Sequence, residues 1–266
     1  MEKFEQPRKE ERNLEKDRST FVEAVEGTQI LEIGTEFDES TVKILETELA
    51  DTKIFLLGET HGVKENPDII YTLFKKFGFR NLALEWEPTL KEKIERFLNG
   101  EAIDFDSIKD SPDGRITAGH FALLKKLKEE GLLEKFVCFD QGGGASWDKR
   151  DENMARNIIE NLTDAPTLVV AGNLHTKVEP ITFEDEEGEH HPMGEQVKRD
   201  IPNVPSGRIE YLTGEFHNYG TRKFGEKSDD AKFPLARFFK GEDGLYVFEL
   251  PEAHVAVVPN PSKSLS

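Results

Sequence analysis

Two histidines and two glutamates stand where short apolar runs of this chain stop: Glu59 and His61 close KIFLLGETH, Glu85 closes ALE, and His175 closes VVAGNLH. An imidazole titrates near neutrality, so it can give or take a proton, and as the neutral ring it can bind a metal ion. His61 and His175 are therefore the leading chemical pair. Glu59 is two residues from His61, which puts both side chains on one side if the extended backbone continues. The carboxylate can then orient the imidazole or share a metal with it. Glu85 is suited to hold a water or a cation. His61, His175 and Glu59 together supply the mixed nitrogen and oxygen donors of a divalent metal site. Glu87 and Asp140 also end apolar runs, and read equally well as solvated strand ends.

The runs themselves are the elements that must position these groups. Ile54–Gly58, Asn81–Leu84, Phe136–Phe139 and Thr167–Gly172 are short, apolar throughout and bounded by polar residues or glycine, the pattern of central parallel strands. Parallel strands place their carboxyl ends on one edge of the sheet, where open α/β folds bind ligands. Those ends are Glu59/His61, Glu85/Glu87, Asp140/Gln141 and Asn173/His175, so four strands deliver polar groups to one crevice. Helical patterns lie between the strands. Ser40-Thr41 caps one through Leu49, Asn66-Pro67 opens one ended by Gly78, Pro88 starts one to Leu98, and Ser146 caps Trp147–Leu162. Ile116–Leu133 is amphipathic, with His120, Leu123, Leu124 and Leu127 on one face. This alternation predicts a three-layer α/β/α sandwich with a mostly parallel mixed sheet, in a single domain over residues 21–259. The charged residues 1–20 read as a disordered segment or a frayed helix, and 260–266 as a flexible tail. Phe21–Ile33 reads as an edge strand or hairpin, Arg208–Leu212 as a fifth strand, and Leu245–Leu250 with His254–Val258 as a closing antiparallel pair. Residues 218–242 read as loop, the glycines at 142–144 as a hinge, and the acidic stretch 177–205 as a functional loop or lid.

Arg150 lies one helical step before Met154, on the face that continues through Ile158 and Leu162, and in the first turn of its helix. A cation there opposes the helix dipole, so either an anion at the sheet edge or on a substrate compensates it, or its head reaches solvent. His120 reads as a satisfied core residue, and His190 and His191 as a solvated pair able to close over the crevice. His217 and His254 lie outside the first four strands. Neither nucleotide-binding glycine fingerprint is present, nor a GxSxG elbow, CxxC or HExxH.

The net charge of −18 argues against nucleic-acid and anionic-membrane partners. A single cysteine, Cys138, precludes an intramolecular disulfide and suits a reducing compartment. The first residues form no apolar signal core, and no run approaches the roughly 18 apolar residues of a membrane span. A cytoplasmic protein acting on a small molecule is the expectation.

Taken in order, LLGETHG with NPD behind it, ALEWE, RDENMARNI, VVAGNLHT and HHPMGEQV resemble the erythromycin esterase/ChaN-like superfamily, related to the Tiki/TraB proteases. The resemblance covers roughly residues 53–200. It implies a site at the strand carboxyl ends built from Glu59, His61, Glu85, Arg150 and His175. One residue separates Glu59 from His61, as in ChaN-like proteins, whereas erythromycin esterases have two. The resemblance implies a hydrolase of ester, lactone or amide bonds, metal-assisted in one version; the alternative it implies is a non-catalytic binder of haem or another small ligand.

Overall fold

The computed structural model describes residues 9–109, 111–142, 146–183, 188–225 and 235–259. In chain order its elements are α1 (Lys9–Gly27), β1 (Thr35–Phe37), α2 (Glu39–Thr52), β2 (Ile54–Glu59), α3 (Asn66–Phe77), β3 (Asn81–Leu84) and α4 (Lys91–Leu98). Then follow α5 (Ala118–Glu129), β4 (Lys135–Cys138), α6 (Trp147–Asn161), β5 (Thr167–Gly172) and α7 (Met193–Asp200). The chain closes with β6 (Ser206–His217), β7 (Thr221–Lys223), β8 (Ala236–Lys240) and β9 (Tyr246–Ala253). The sheet runs β1-β8-β9-β6-β2-β5-β3-β4, with β7 paired to β6. From β9 to β4 every neighbouring pair is parallel, and β8 is antiparallel to β9. The expected three-layer α/β sandwich is the fold observed.

The two faces follow from the period-2 alternation of the strands. Phe55, Leu57, Leu168 and Val170 enter the larger core, with residues of α1 to α5. Ile54, Leu56, Val169 and Ala171 enter the smaller core, beneath Met154 and Ile158 of α6 and Met193 and Val197 of α7. Both faces of the central strands are thus covered, which is why their sequences are apolar without interruption. Helix starts match their chemistry. Asp38 caps α2 by accepting the Thr41 N–H, Thr117 caps α5 by accepting that of His120, and Ser146 caps α6 by accepting that of Lys149.

Two expectations are corrected. Of the two readings of the N-terminal stretch the helix is the one seen from Lys9, where α1 begins, and Phe21 belongs to that helix rather than to an edge strand. Phe21 and Val25 are four residues apart, so a helix places both on the core side. The Phe21 ring meets those of Phe105 and Phe121 at 6.0 and 5.7 Å. The second correction concerns the closing pair. Tyr246–Ala253 pairs with β8, from the stretch 218–242 read as loop, while His254–Val258 contributes one bridge, Val255 to Val63. Phe238 stacks on Tyr246 at 5.9 Å, and Arg237 bonds Glu249 across that pair. The tail 260–266, the N-terminal residues 1–8 and two of the three hinge glycines, 143 and 144, lie outside the described residues.

Because Phe21 is fully buried between α4–α5 side chains and the segment at Phe105, Phe21→Ala is expected to destabilise the protein by about 3–5 kcal/mol in urea unfolding. A loss under about 0.5 kcal/mol, the size of a surface change, would show that α1 is not part of the folding unit.

Candidate active site

Strand order decides what meets at the carboxyl edge. β5 lies between β2 and β3, so the end of β5 is flanked by Glu59 on one side and Glu85 on the other. Gly172 ends β5, and a Cβ there would stand 3.1 Å from His61 Nε2 and 3.6 Å from Glu85 Oε2. Its lack of a side chain is what lets these groups converge. After Glu59 the chain turns, and His61 folds back so that Nδ1 lies 3.0 Å from Glu59 Oε1 while Nε2 faces Glu85 Oε2 at 3.5 Å. His175 follows β5 in a tight turn closed by its own N–H on Gly172 O. Its Nδ1 lies 2.6 Å from Asp151 Oδ1, which also accepts the Met193 N–H at 3.0 Å.

Glu85 is the hub. Its Oε1 accepts from Arg150 Nη2 at 2.6 Å and lies 3.4 Å from Arg115 Nη1 and 3.7 Å from His175 Nε2. Its Oε2 accepts the Gly172 N–H at 2.7 Å. Asp140 is held by both arginines: Arg150 donates through Nε and Nη2 at 3.1 and 2.8 Å, and Arg115 through Nη1 at 2.6 Å. Asp113 in turn accepts from Arg115 Nε at 2.5 Å. Arg150 thus finds its compensating anions at the sheet edge rather than in solvent.

Burial opposes charge on all these groups, and their mutual placement reverses it. Imidazole and guanidinium neighbours hold the Glu85 carboxyl well below the usual range despite its burial. Burial also works against charge on Glu59, yet His120 and His61 leave its pKa below normal. For His61, burial disfavours the imidazolium, but Glu85 and then Glu59 outweigh it and push the pKa up to about 10. His61 is therefore charged at neutral pH. His175 is arranged differently. Arg150 Nη1 stands 3.2 Å from its Nε2, and a guanidinium can only donate, so Nε2 presents its lone pair and Nδ1 carries the proton to Asp151.

A cavity of about 380 Å³ opens beside these groups, lined by Arg115, Arg150, Asp113, Asp140, Trp86 and Tyr219 among others. Trp147, part-exposed, lies over His175 at 5.3 Å. The antiparallel bridge between Ile181 and His190 accompanies contacts of Phe183 and His190 with Trp147 at 5.7 and 6.0 Å. The acidic loop thus reaches over one side of the site, although its residues 184–187 lie outside the described residues.

All five expected site residues, Glu59, His61, Glu85, Arg150 and His175, meet in this cluster, and Asp140 joins them. Glu87 lies at the cavity wall, exposed, and Gln141 turns away to Asn157. Asn173 bonds Thr60. His217 is buried elsewhere on Pro112 O, and His254 pairs with Glu65 at the surface. Arg115, Asp113, Asp151 and His120 are additional members that strand ends could not reveal. The Asp113-Gly114 turn was the one visible signal for the first pair.

The metal set His61, His175 and Glu59 does not fit. Among the described residues no three His, Cys, Asp or Glu side chains are grouped as a metal centre. Glu59 meets His61 on Nδ1, whereas His175 lies across Glu85 on the Nε2 side, where Arg150 already supplies positive charge. Each ring nitrogen of both histidines faces a carboxylate or a guanidinium.

No family model and no curated protein sequence matches the chain. Solved structures do. A histidine-to-asparagine mutant of erythromycin esterase EreC in its open conformation aligns with a TM-score of 0.57 at 12% identity, over 81% of this chain and 94% of that one. The chain shares its fold with that protein. A succinoglycan biosynthesis protein shares it at TM-score 0.58 and 11% identity, over 90% of this chain and 98% of that one. So does a Bacillus cereus protein, at 0.59 and 11%, over 92% and 99%. All three comparisons, at 11–12% identity, establish the fold alone. No helix among the described residues is long and apolar enough to cross a membrane.

The His61 pKa, about 10, lies above the 6.5 of an unperturbed imidazole. Stability from its protonated form is complete below about pH 6.5 and is lost as pH rises through about 10. The Tm difference between wild type and His61→Gln should therefore be largest near pH 6.5 and shrink towards pH 10. A difference that stays constant across that range would show that His61 does not carry the proton.

Proposed function

We propose that this chain hydrolyses an ester, lactone or amide bond of a small molecule. The observation that carries the reading is the placement of two imidazoles about one carboxylate, with His61 Nε2 3.5 Å from Glu85 Oε2 and His175 Nε2 3.2 Å from the Arg150 guanidinium; in the reading His61 holds a proton and His175 presents a lone pair. In this reading His175 Nε2 takes a proton from water, and the buried Asp151 stabilises the imidazolium that forms. The hydroxide attacks the substrate carbonyl carbon. The carbonyl oxygen, becoming an oxyanion, is met by His61 Nε2–H and by the Arg150 guanidinium, whose Nη1 leaves His175 for it. Collapse of the tetrahedral species expels the alcohol or amine, which receives its proton from His175. Glu59 and Glu85 keep His61 charged throughout.

His61 is not the base in this scheme. An imidazole with a pKa near 10 is a poor acceptor at neutral pH. The fold of EreC, named an erythromycin esterase, supports the ester class. A cavity of about 380 Å³ beside the site suits a small substrate or the leaving portion of a larger one.

A screen of p-nitrophenyl acetate, simple lactones and anilides should reveal turnover, with His175→Asn and Asp151→Asn lowering kcat at least about a hundredfold and His61→Gln by a similar factor. Activity unchanged in the His175 and His61 variants would refute the assignment.

A further inference from the structure

His120 takes no part in the scheme above, yet it faces the same carboxylate as His61. It lies in the first turn of α5 and is 1% exposed. Glu59 Oε1 serves His61, while Oε2 is buried and lacks a hydrogen-bond partner. His120 Nε2 points at that oxygen from 3.7 Å, just beyond hydrogen-bonding distance. On the other side of the ring, Nδ1 lies 3.0 Å from Thr117 Oγ1. That hydroxyl already accepts the His120 backbone N–H at 3.3 Å in capping the helix, and its own proton is free to be given to Nδ1. Given to Nδ1, it leaves the ring proton on Nε2, facing Glu59. The opposite tautomer would set a bare nitrogen against a buried carboxylate oxygen, two acceptors with nothing between them. The Trp86 indole, edge-on at 6.0 Å, walls the ring in.

We propose that His120 is a positioning residue: its Nε2–H, directed by Thr117, holds the Glu59 carboxylate so that the other oxygen meets His61 Nδ1–H. The line Thr117–His120–Glu59–His61 then runs from a helix cap to the proton donor. Other charged groups face it from neighbouring elements. Glu85 meets His61 from the end of β3 and carries Arg115, Arg150 and His175 with it, and Tyr211 of β6 lies within the field of Glu59. None of these supplies a hydrogen bond to Glu59 Oε2. The inference deepens the hydrolase reading and rests on it for its catalytic consequence, but its test does not require turnover.

Long-range proton–nitrogen NMR of the full chain, with histidine nitrogens labelled, reads the tautomer directly. A proton on His120 Nε2 is expected; Nε2 without one would overturn the proposal whatever the esterase screen finds. His120→Gln keeps an N–H donor and should preserve the low-field His61 Nδ1–H resonance, whereas His120→Leu should shift or broaden it. An unchanged resonance in a folded His120→Leu variant would equally overturn the proposal. Should that variant fail to fold, the wild-type tautomer decides. Absence of ester turnover in wild type, with the Nε2–H present, would count against the hydrolase reading alone.

Discussion

Glu85 is the constraint on which the site depends. It is buried at the end of a central strand, where an isolated carboxylate would protonate or destabilise the fold. Instead Arg150, the Gly172 amide, Arg115, His61 and His175 surround it, and its charge persists. Each partner is fixed by this arrangement in turn. Arg150 is pulled from solvent into the crevice, His61 is kept protonated, and Arg115 is drawn in from a loop that carries no strand end. Removing the carboxylate would leave the two guanidinium groups with Asp140 and Asp113 only, and the loss of one partner from a buried ionic cluster costs roughly 3–5 kcal/mol.

Topology makes this cluster possible. In chain order β5 comes last of the first four central strands, but in space it is inserted between β2 and β3. That insertion brings the His175 turn between the carboxylates that end its two neighbours, and the glycine at the end of β5 leaves room for them. The helix α6, packed through Met154 and Ile158 on the smaller core, supplies Arg150 and Asp151 to opposite partners: one to Glu85 and Asp140, the other to His175. The same histidine is thereby held from both ring nitrogens, which sets its tautomer. The two imidazoles differ chemically because one is bracketed by carboxylates and the other by a carboxylate and a guanidinium.

Much of this was legible in the residues. Central strands buried on both faces must be apolar, so the four runs and their polar ends stood out, and the convergence of Glu59, His61, Glu85 and His175 followed from parallel geometry, whereas helical spacing left Arg150 open between the sheet edge and solvent. What was not legible has physical causes. β1 at the edge and β8 beside it are short, three and five residues, and their pairing depends on partners distant in the chain. The α1 stretch is charged except at widely spaced apolar positions, and only contact with Phe105 and Phe121 reveals that it is anchored. Asp151 sits in a run of charged residues, where nothing distinguishes a buried carboxylate from solvated neighbours. His120 was read correctly as a buried residue on an apolar face, but its line to Glu59 crosses from α5 to β2 and exists only in three dimensions.

The central claim is that one cluster holds two histidines in opposite states, and titration by nitrogen-detected NMR tests it most directly. At neutral pH the account requires both ring nitrogens of His61 to be protonated, with deprotonation only as pH approaches about 10, while His175 carries its proton on Nδ1. A His61 that titrates near the ordinary imidazole value, 6.5, or a His175 protonated on Nε2 alone, would contradict it.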